Sequence, residues 1–435
     1  MPREGGVTQI NMAVSRLEAW LETIRGSSGY CGPVVHWWQQ SLMYCGTGLD
    51  WRYEGIIIGY LQLWQRTGDM GWLIKARRAG DDLLSGQLES GHFAASAFEL
   101  NPATAGTPHE AAGDIGLLRL AVALRGAGYA DWEQYAKCAE RNLRAFYIGQ
   151  LWDTEAQSFR DSPRVPSFVP NKAATACEAL FLLAEVTGDA QWVERYVLPT
   201  LDRILKYQVR YSGQLNGAIA QNSLGTRRVE KYFPIYIARC VPALLRGHCW
   251  TNSEQYAQCA LQAMQFIVRW AHEDGSLPTV VYPNRHVNRY PCWFAPLGDV
   301  LRAADALRPY GFDADLAATE QRLLAGQDET GGIQTAWGFA AQAGSRPTHV
   351  PDVRDVLHVV GWCDKAFRYL TSHVGPRLPA AESARFEVEC TFRDQAMRLV
   401  ETPELLEVST PRGICYRWRK GEPWPEIASS EFWLQ

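Results

Sequence analysis

The stretch GLDWRYEGIIIGYLQLWQRTGDMGW, residues 48–72, decides the fold. It opens on charged and aromatic side chains, Asp50, Trp51, Arg52, Tyr53 and Glu54. It then runs apolar on nearly every side through Ile56, Ile57, Ile58, Tyr60, Leu61, Leu63 and Trp64. A helix apolar all round is one enclosed by other helices. Thr67-Gly68-Asp69 ends it: the glycine takes the left-handed conformation of a helix C-terminus and the aspartate caps the helix that follows. From Trp72 the pattern turns amphipathic, with Lys75, Arg77, Arg78, Asp81 and Asp82 on one side and Ile74, Ala79, Leu83 and Leu84 on the other. The unit is a hairpin of one buried and one half-exposed helix.

The unit repeats. TGDMGW ends at Trp72, AGYADW at Trp132 and TGDAQW at Trp192, 60 residues apart each time. Looser copies follow at SEQY, ending at Tyr256, and DADL, ending at Leu316. Apolar helices are predicted upstream of each turn, at 51–66, 109–125, 171–187, 229–246 and 290–308, with a sixth at 354–370. A glycine-bearing tail follows each outer helix, at 87–93, 150–159, 214–219, 273–277 and 327–333. The sixth inner helix lacks a partner, and a helix over 9–25, with Ile10, Val14, Leu17, Trp20, Leu21 and Ile24 at helical spacing, supplies one. Six hairpins closed in this way make an all-α toroid, (α/α)6, over residues 1–375. Residues 376–435 alternate polar with apolar in short runs and are predicted to form two or three strands packed on the ring. A ring of hairpins is a sum of local contacts, which lets 435 residues form one body.

A formal net charge of −4 and a pI near 6.2 argue against a nucleic-acid partner. The opening Met-Pro-Arg-Glu-Gly-Gly has no basic-then-apolar leader, and no uninterrupted apolar run reaches about 18 residues. The expectation is a cytoplasmic protein not inserted in a membrane. Eleven cysteines, an odd number without a C-x-x-C, read as buried thiols. No phosphate loop, dinucleotide fingerprint or His-x-x-x-His pair occurs, so neither cofactor nor metal is expected. Seventeen Trp, eighteen Tyr and fifteen Phe exceed what a helical core needs, and some are expected to line a cavity.

The hairpins with their TGD-x-x-W turns and glycine-bearing tails resemble the six-hairpin glycosidase-like proteins over about residues 9–370. That resemblance implies an (α/α)6 toroid with substrate in a funnel over the N-terminal ends of the inner helices. The same ring serves glycoside hydrolases, uronate lyases and sugar epimerases, and related rings serve terpene cyclases and prenyltransferases.

Polar residues at the predicted helix starts suit such a funnel. They are Asp50, Arg52 and Glu54; His109, Glu110 and Asp114; Asn171 and Lys172; Arg227, Arg228, Glu230, Lys231 and Tyr232; Arg285, His286, Arg289 and Tyr290; and Asp352, Arg354, Asp355 and His358. Eight cations among them, Arg52, Lys172, Arg227, Arg228, Lys231, Arg285, Arg289 and Arg354, join six positive helix ends, which points to an anionic small-molecule or oligosaccharide substrate. Trp37, Trp38, Trp51, Tyr53 and Trp293 offer flat faces for a sugar ring. Duller roles compete: Asp50, Asn171 and Asp352 stand at capping positions, Glu178 suits a hydrogen-bonded core carboxylate, and the His36-Trp37-Trp38 patch suits loop packing.

Four function classes remain. In hydrolysis, Asp114 and Glu110, with His109 beside them, would work against Glu54, Glu230 or Asp355, two carboxyls about 5 to 9 Å apart with one held protonated. The resemblance to unsaturated-uronate hydrolases favours Asp114. In β-elimination, His286 and Tyr290 would act with the Arg and Asn of the 284–290 segment, which is similar in content to the Asn-x-His…Tyr segments of toroid lyases. The tail from Gln327 to Trp337 resembles the Gln…Gly…Trp repeats of triterpene cyclases, although their Asp-x-Asp-Asp acid is absent. A ring that binds glycan or lipid without turnover is the fourth. The expectation that best joins these features is an enzyme hydrolysing an acidic sugar.

Overall fold

The computed structural model describes residues 4–36, 41–45, 48–94, 109–164, 166–284, 286–341, 349–392 and 394–421. Six inner helices stand side by side in a closed ring: α2 (Arg52–Thr67), α4 (Glu110–Gly126), α6 (Pro170–Thr187), α8 (Pro234–Thr251), α10 (Leu297–Leu307) and α13 (Val360–Thr371), with α13 returning to α2. Each carries an outer helix: α3 (Met70–Ser85), α5 (Trp132–Asn142, continued as a π-helix over Leu143–Leu151), α7 (Leu198–Tyr207), α9 (Glu254–Arg269) and α11 (Ala317–Ala325). The sixth outer place is taken by α1 (Glu4–Thr23), packed on α13. The chain therefore folds as an (α/α)6 toroid.

The turns form as their sequence dictates. Gly68 ends α2 in the left-handed region at φ 73°, and Asp69 caps α3 by accepting the Gly71 N–H at 2.8 Å. Gly188 and Asp189 repeat this at φ 76° and 3.0 Å. The tails repeat as well. Gln87, Gln208 and Gln327 each donate the side-chain amide to two carbonyls, one in their own tail (Gly91, Gly217, Gly331) and one on the neighbouring outer helix (Cys138, Cys259, Ala13). Gly217 and Gly331 have φ near 90°, and a Cβ on either would strike the backbone of the next outer helix, at Gln262 or Arg16. Each tail is thus a staple between successive hairpins. The cyclase-like tail at 327 is one of these three, and its glutamine is occupied in holding the ring.

Several boundaries differ from those the sequence predicts. The fourth and fifth inner helices begin later, at Pro234 and Leu297, because the residues before them form short antiparallel pairs: the hairpins Asn222–Leu224 with Arg227–Val229 and Val280–Val281 with Val287–Asn288, and the long-range pair Cys292–Trp293 with Ala336–Trp337. The sixth is broken into α12 (Val353–Val356), capped by Asp352, and α13. Helix α1 starts at Glu4, not at residue 9. Residues 386–419 form four antiparallel strands, Phe386–Phe392, Gln395–Glu401, Leu405–Thr410 and Gly413–Arg419, where two or three were expected. Cys390, Leu399, Val408 and Trp418 of that sheet are buried in the same core as the helices.

One buried cluster fastens sheet to ring. The His358 imidazole lies between two carboxylates, Nε2 2.7 Å from Asp328 and Nδ1 2.9 Å from Glu401. Glu401 also accepts from the Trp20 indole at 2.8 Å and from Lys420 at 2.7 Å. Among the described residues no helix is long and apolar enough to cross a membrane. Cys138, Cys177, Cys240, Cys259, Cys292, Cys363 and Cys390 are buried free thiols, and Cys249 is an exposed one.

Candidate functional site

Side chains at the starts of four inner helices meet at one end of the barrel. Trp51, just before α2, lies 4.7 Å from the Trp362 ring at the start of α13 and 5.1 Å from the His109 ring at the start of α4. Trp293, held just before α10 by its strand pairing with Ala336, is 6.1 Å from Trp362 and 6.1 Å from Phe339. Gly361 is where Trp51 packs: a Cβ there would overlap the indole. Lys365, one turn into α13, holds its ammonium 5.3 Å over the Trp51 ring. Trp51, His109, Asn171, Lys172 and Tyr236 are all half-buried on this rim. The product is an aromatic cup whose half-buried faces are those of Trp51 and His109, while Trp293, Trp362 and Phe339 are buried.

Below it the barrel axis is filled by charge, not by hydrophobic side chains. Glu54 of α2 reaches across the ring to Arg239 of α8 at 3.0 Å and pairs with Arg368 of α13. Arg239 also contacts Glu178 of α6 at 3.2 Å, Glu178 takes Arg302 of α10 at 2.9 Å, and Arg368 closes the circle on Asp299. These groups are largely desolvated, with Arg302 the most open at 24 % side-chain exposure. Burial alone would raise Glu178, but Arg302, Arg239, Arg368 and Arg119 outweigh it and hold the carboxylate well below its usual range.

Two further acids have opposite environments. Burial would raise Asp299, but Arg368 first, then Lys365, bring it down to about 2. Asp364 is pushed up to about 7 by burial, in spite of Lys365 at 2.7 Å and Arg368 one turn on. Its Oδ2 takes the Gly55 N–H at 3.1 Å, while its buried Oδ1 has no hydrogen-bond partner among the described residues. The same two cations thus face one carboxyl that is ionised at neutral pH and one that is half protonated.

The residues singled out from sequence are distributed unevenly. Trp51, Trp293 and His109 form the cup, and Glu54 lies beneath it. Glu110 and Asp114 face the other way, into the gap between α4 and α5: Glu110 lies 3.2 Å from His92 and 2.5 Å from the Asn142 amide. Asp114 is fully buried, and burial, then Glu110, raise it well above a normal carboxyl. The reason is rotational, since both occupy the face of α4 opposite the one turned to the axis. Tyr53 likewise points outward, to Asp82 at 3.1 Å.

The expected ring of free cations is largely paired. Arg52 is buried against Asp50 at 2.9 Å, Lys172 holds Asp161 at 2.8 Å, and Arg354 holds Asp352 at 2.7 Å. Arg228 pairs with Glu230, and Arg289 lies 3.7 Å from Asp274. Arg227 is exposed on its hairpin, Lys231 is half-buried beside it, and Tyr232 is buried against Phe266. Asp355 accepts from the backbone N–H groups of Phe339 and Asp352, and burial lifts it to about 7. Exposed His286 contacts Asn288 at 3.1 Å, while Tyr290 packs edge-on to Trp337. Trp37, Trp38 and Arg285 lie outside the described residues. Asn171 sits inside α6 rather than capping it, while Asp50 accepts the backbone N–H of Arg52 at the start of α2 at 3.1 Å and also holds the Arg52 guanidinium.

Sequence reasoning missed Trp362, Phe339, Lys365, Asp364, Arg239, Asp299, Arg302 and Arg368. Its signal was available: Glu178 and Glu185, and Arg239 and Arg246, are charges seven residues apart inside otherwise apolar helices, one face each. Among the described residues no group of three or more His, Cys, Asp or Glu is arranged to hold a metal ion.

No protein-family model matches the chain, and no curated protein does. Solved structures do. A D-mannose isomerase is similar over 85% of this chain and 99% of its own, with TM-score 0.60 and 14% identity. An unsaturated glucuronyl hydrolase from Bacillus sp. GL1, responsible for degradation of glycosaminoglycan, is similar over 84% and 95%, with TM-score 0.59 and 12% identity. A cellobiose 2-epimerase from Bacillus thermoamylovorans is similar over 83% and 98%, again at 0.59 and 12%. Identities this low establish the shared six-hairpin toroid and leave chemistry to the site.

Proposed function

We propose that the protein is a carbohydrate-acting enzyme that hydrolyses a glycosidic bond at the mouth of the barrel, with one sugar ring laid against Trp51. The observation that carries this reading is the aromatic cup at the helix starts. Flat apolar faces suit the C–H faces of a pyranose, and half-buried Trp51 offers one, backed by Trp293 and Trp362, which are buried. The solved structures similar to this chain are those of sugar enzymes, which supports the substrate class.

The chemistry follows from the unequal acids below. Hydrolysis needs one carboxyl that gives a proton to the leaving oxygen and one carboxylate that faces the electron-poor anomeric carbon or activates water. Asp364 carries a proton near neutral pH and suits the first task, and ionised Asp299 suits the second. When Asp364 is protonated, the Lys365 ammonium beside it loses its counter-charge and is available to a substrate carboxylate. An acidic sugar is therefore the favoured substrate.

The test is kinetic, on a panel of aryl glycosides and uronides. Trp51→Ala should raise KM about tenfold, while Asp364→Asn should lower kcat at least ~100-fold with little change in KM. Full kcat in both Asp299→Asn and Asp364→Asn would overturn the assignment. A second reading, a sugar-binding ring without turnover, is favoured by the guanidinium clamps on Glu54 and Glu178. It requires calorimetric oligosaccharide binding that Trp51→Ala weakens, with no substrate cleaved.

A further inference from the structure

Deeper in the barrel, α4, α6 and α8 carry charges that the sugar site does not use. Arg119 comes five residues after Asp114, about 140° further round the helix at about 100° per residue. Because Asp114 faces outward, Arg119 faces the axis, on a side of α4 otherwise made of Ala112, Gly116 and Ala123. It is half-buried, and among the described residues its guanidinium makes no hydrogen bond and no ion pair. The charges acting on it are Arg246, then Glu178, Glu185 and Glu54. Glu178 is already engaged by Arg239 and Arg302, and Glu54 by Arg239 and Arg368. Arg246 pairs with Glu185 but leaves its buried Nη1 without a partner.

We propose that Arg119 and Arg246 hold a small oxyanion, a carboxylate or a phosphate, in the lower half of the barrel. An unpaired guanidinium taken out of water is costly, and its planar fork matches two oxygens of one anion. The site is independent of the sugar-hydrolysis proposal, since it lies below the Glu54–Arg239–Glu178–Arg302 lattice and neither Asp299 nor Asp364 belongs to it.

Thermal unfolding at constant ionic strength tests this. Inorganic phosphate should raise the midpoint of the native sequence saturably, by about 3 °C at a hundredfold excess over Kd. Arg119→Gln should be at least as stable as the native chain without phosphate and should not respond to it. Equilibrium dialysis of labelled phosphate against the unmodified protein gives an independent measure should the variant fold poorly, with one saturable site expected. Glucuronate and glucose 6-phosphate, against neutral glucose, separate the sources. Tighter binding than phosphate makes the anion part of a sugar, and equal binding makes it a free ion. Absence of saturable binding by all three anions, or an equal thermal shift in Arg119→Gln, would overturn the site.

Discussion

His358 shows how a buried residue acquires a fixed charge. Burial would lower its pKa, but Asp328 and Glu401, at 2.7 and 2.9 Å, raise it to about 10. In the unfolded chain the same imidazole titrates near ~6.5. A folded value above the unfolded one means the contribution to stability is complete below about pH 6.5 and is lost as pH rises towards 10. We expect urea unfolding of the native chain to show this decline between pH 6.5 and 10, and His358→Gln to lack its share of it. At pH 6 that variant should be less stable by about 3 kcal/mol, since two carboxylates lose their counter-ion. The sequence placed His358 at a helix start but offered no sign of its partners, which come from a distant tail and from the sheet. The same limit applies in the barrel. Trp51, Trp293 and His109 could be picked out because aromatic and polar groups cluster before inner helices. Whether Glu110 faces the axis or the outer helix depends on a rotation that an all-apolar helix does not reveal.

At the scale of elements the sequence is more legible, because each joint is made locally. Thr-Gly-Asp states its own geometry, a left-handed stop followed by a cap, and both instances form as written. The tails at Gln87 and Gln327 were visible as glutamine followed by glycine, whereas the third was read from Gln214 and its staple is Gln208; the purpose of all three was hidden, since half of each stapling glutamine's bonds go to the next hairpin. Gln208 is buried with its amide on Gly217 and Cys259. Gln208→Leu should therefore destabilise the ring by about 2 kcal/mol, measured by urea unfolding, because two buried carbonyls lose a donor. Gly217→Ala should cost a similar amount, about 2 kcal/mol, through a forced left-handed alanine and a collision with the Gln262 carbonyl. The misplaced starts of α8 and α10 have one cause. Apolar residues ahead of each helix read as helical until short cross-strand pairs claim their backbone groups.

For the whole molecule, period and closure were legible in the sixty-residue spacing, whereas the tie between ring and sheet was not. Glu401 holds Trp20, His358 and Lys420 at once, so helix, sixth hairpin and sheet share one buried carboxylate. Ending the chain at residue 375 should leave the Trp20 indole and the His358–Asp328 pair uncovered. We expect a drop of several degrees in Tm or loss of soluble protein, whereas the intact chain should unfold in a single transition by calorimetry. Closure by α1 also bears on synthesis. Helix α1 docks on α13, the last inner helix of the ring to be made, and one flank of α2 waits for that same element. Until translation has passed residue 371 the nascent ring is an open crescent with two greasy edges, which makes this protein a natural client for chaperones that shield unfinished chains.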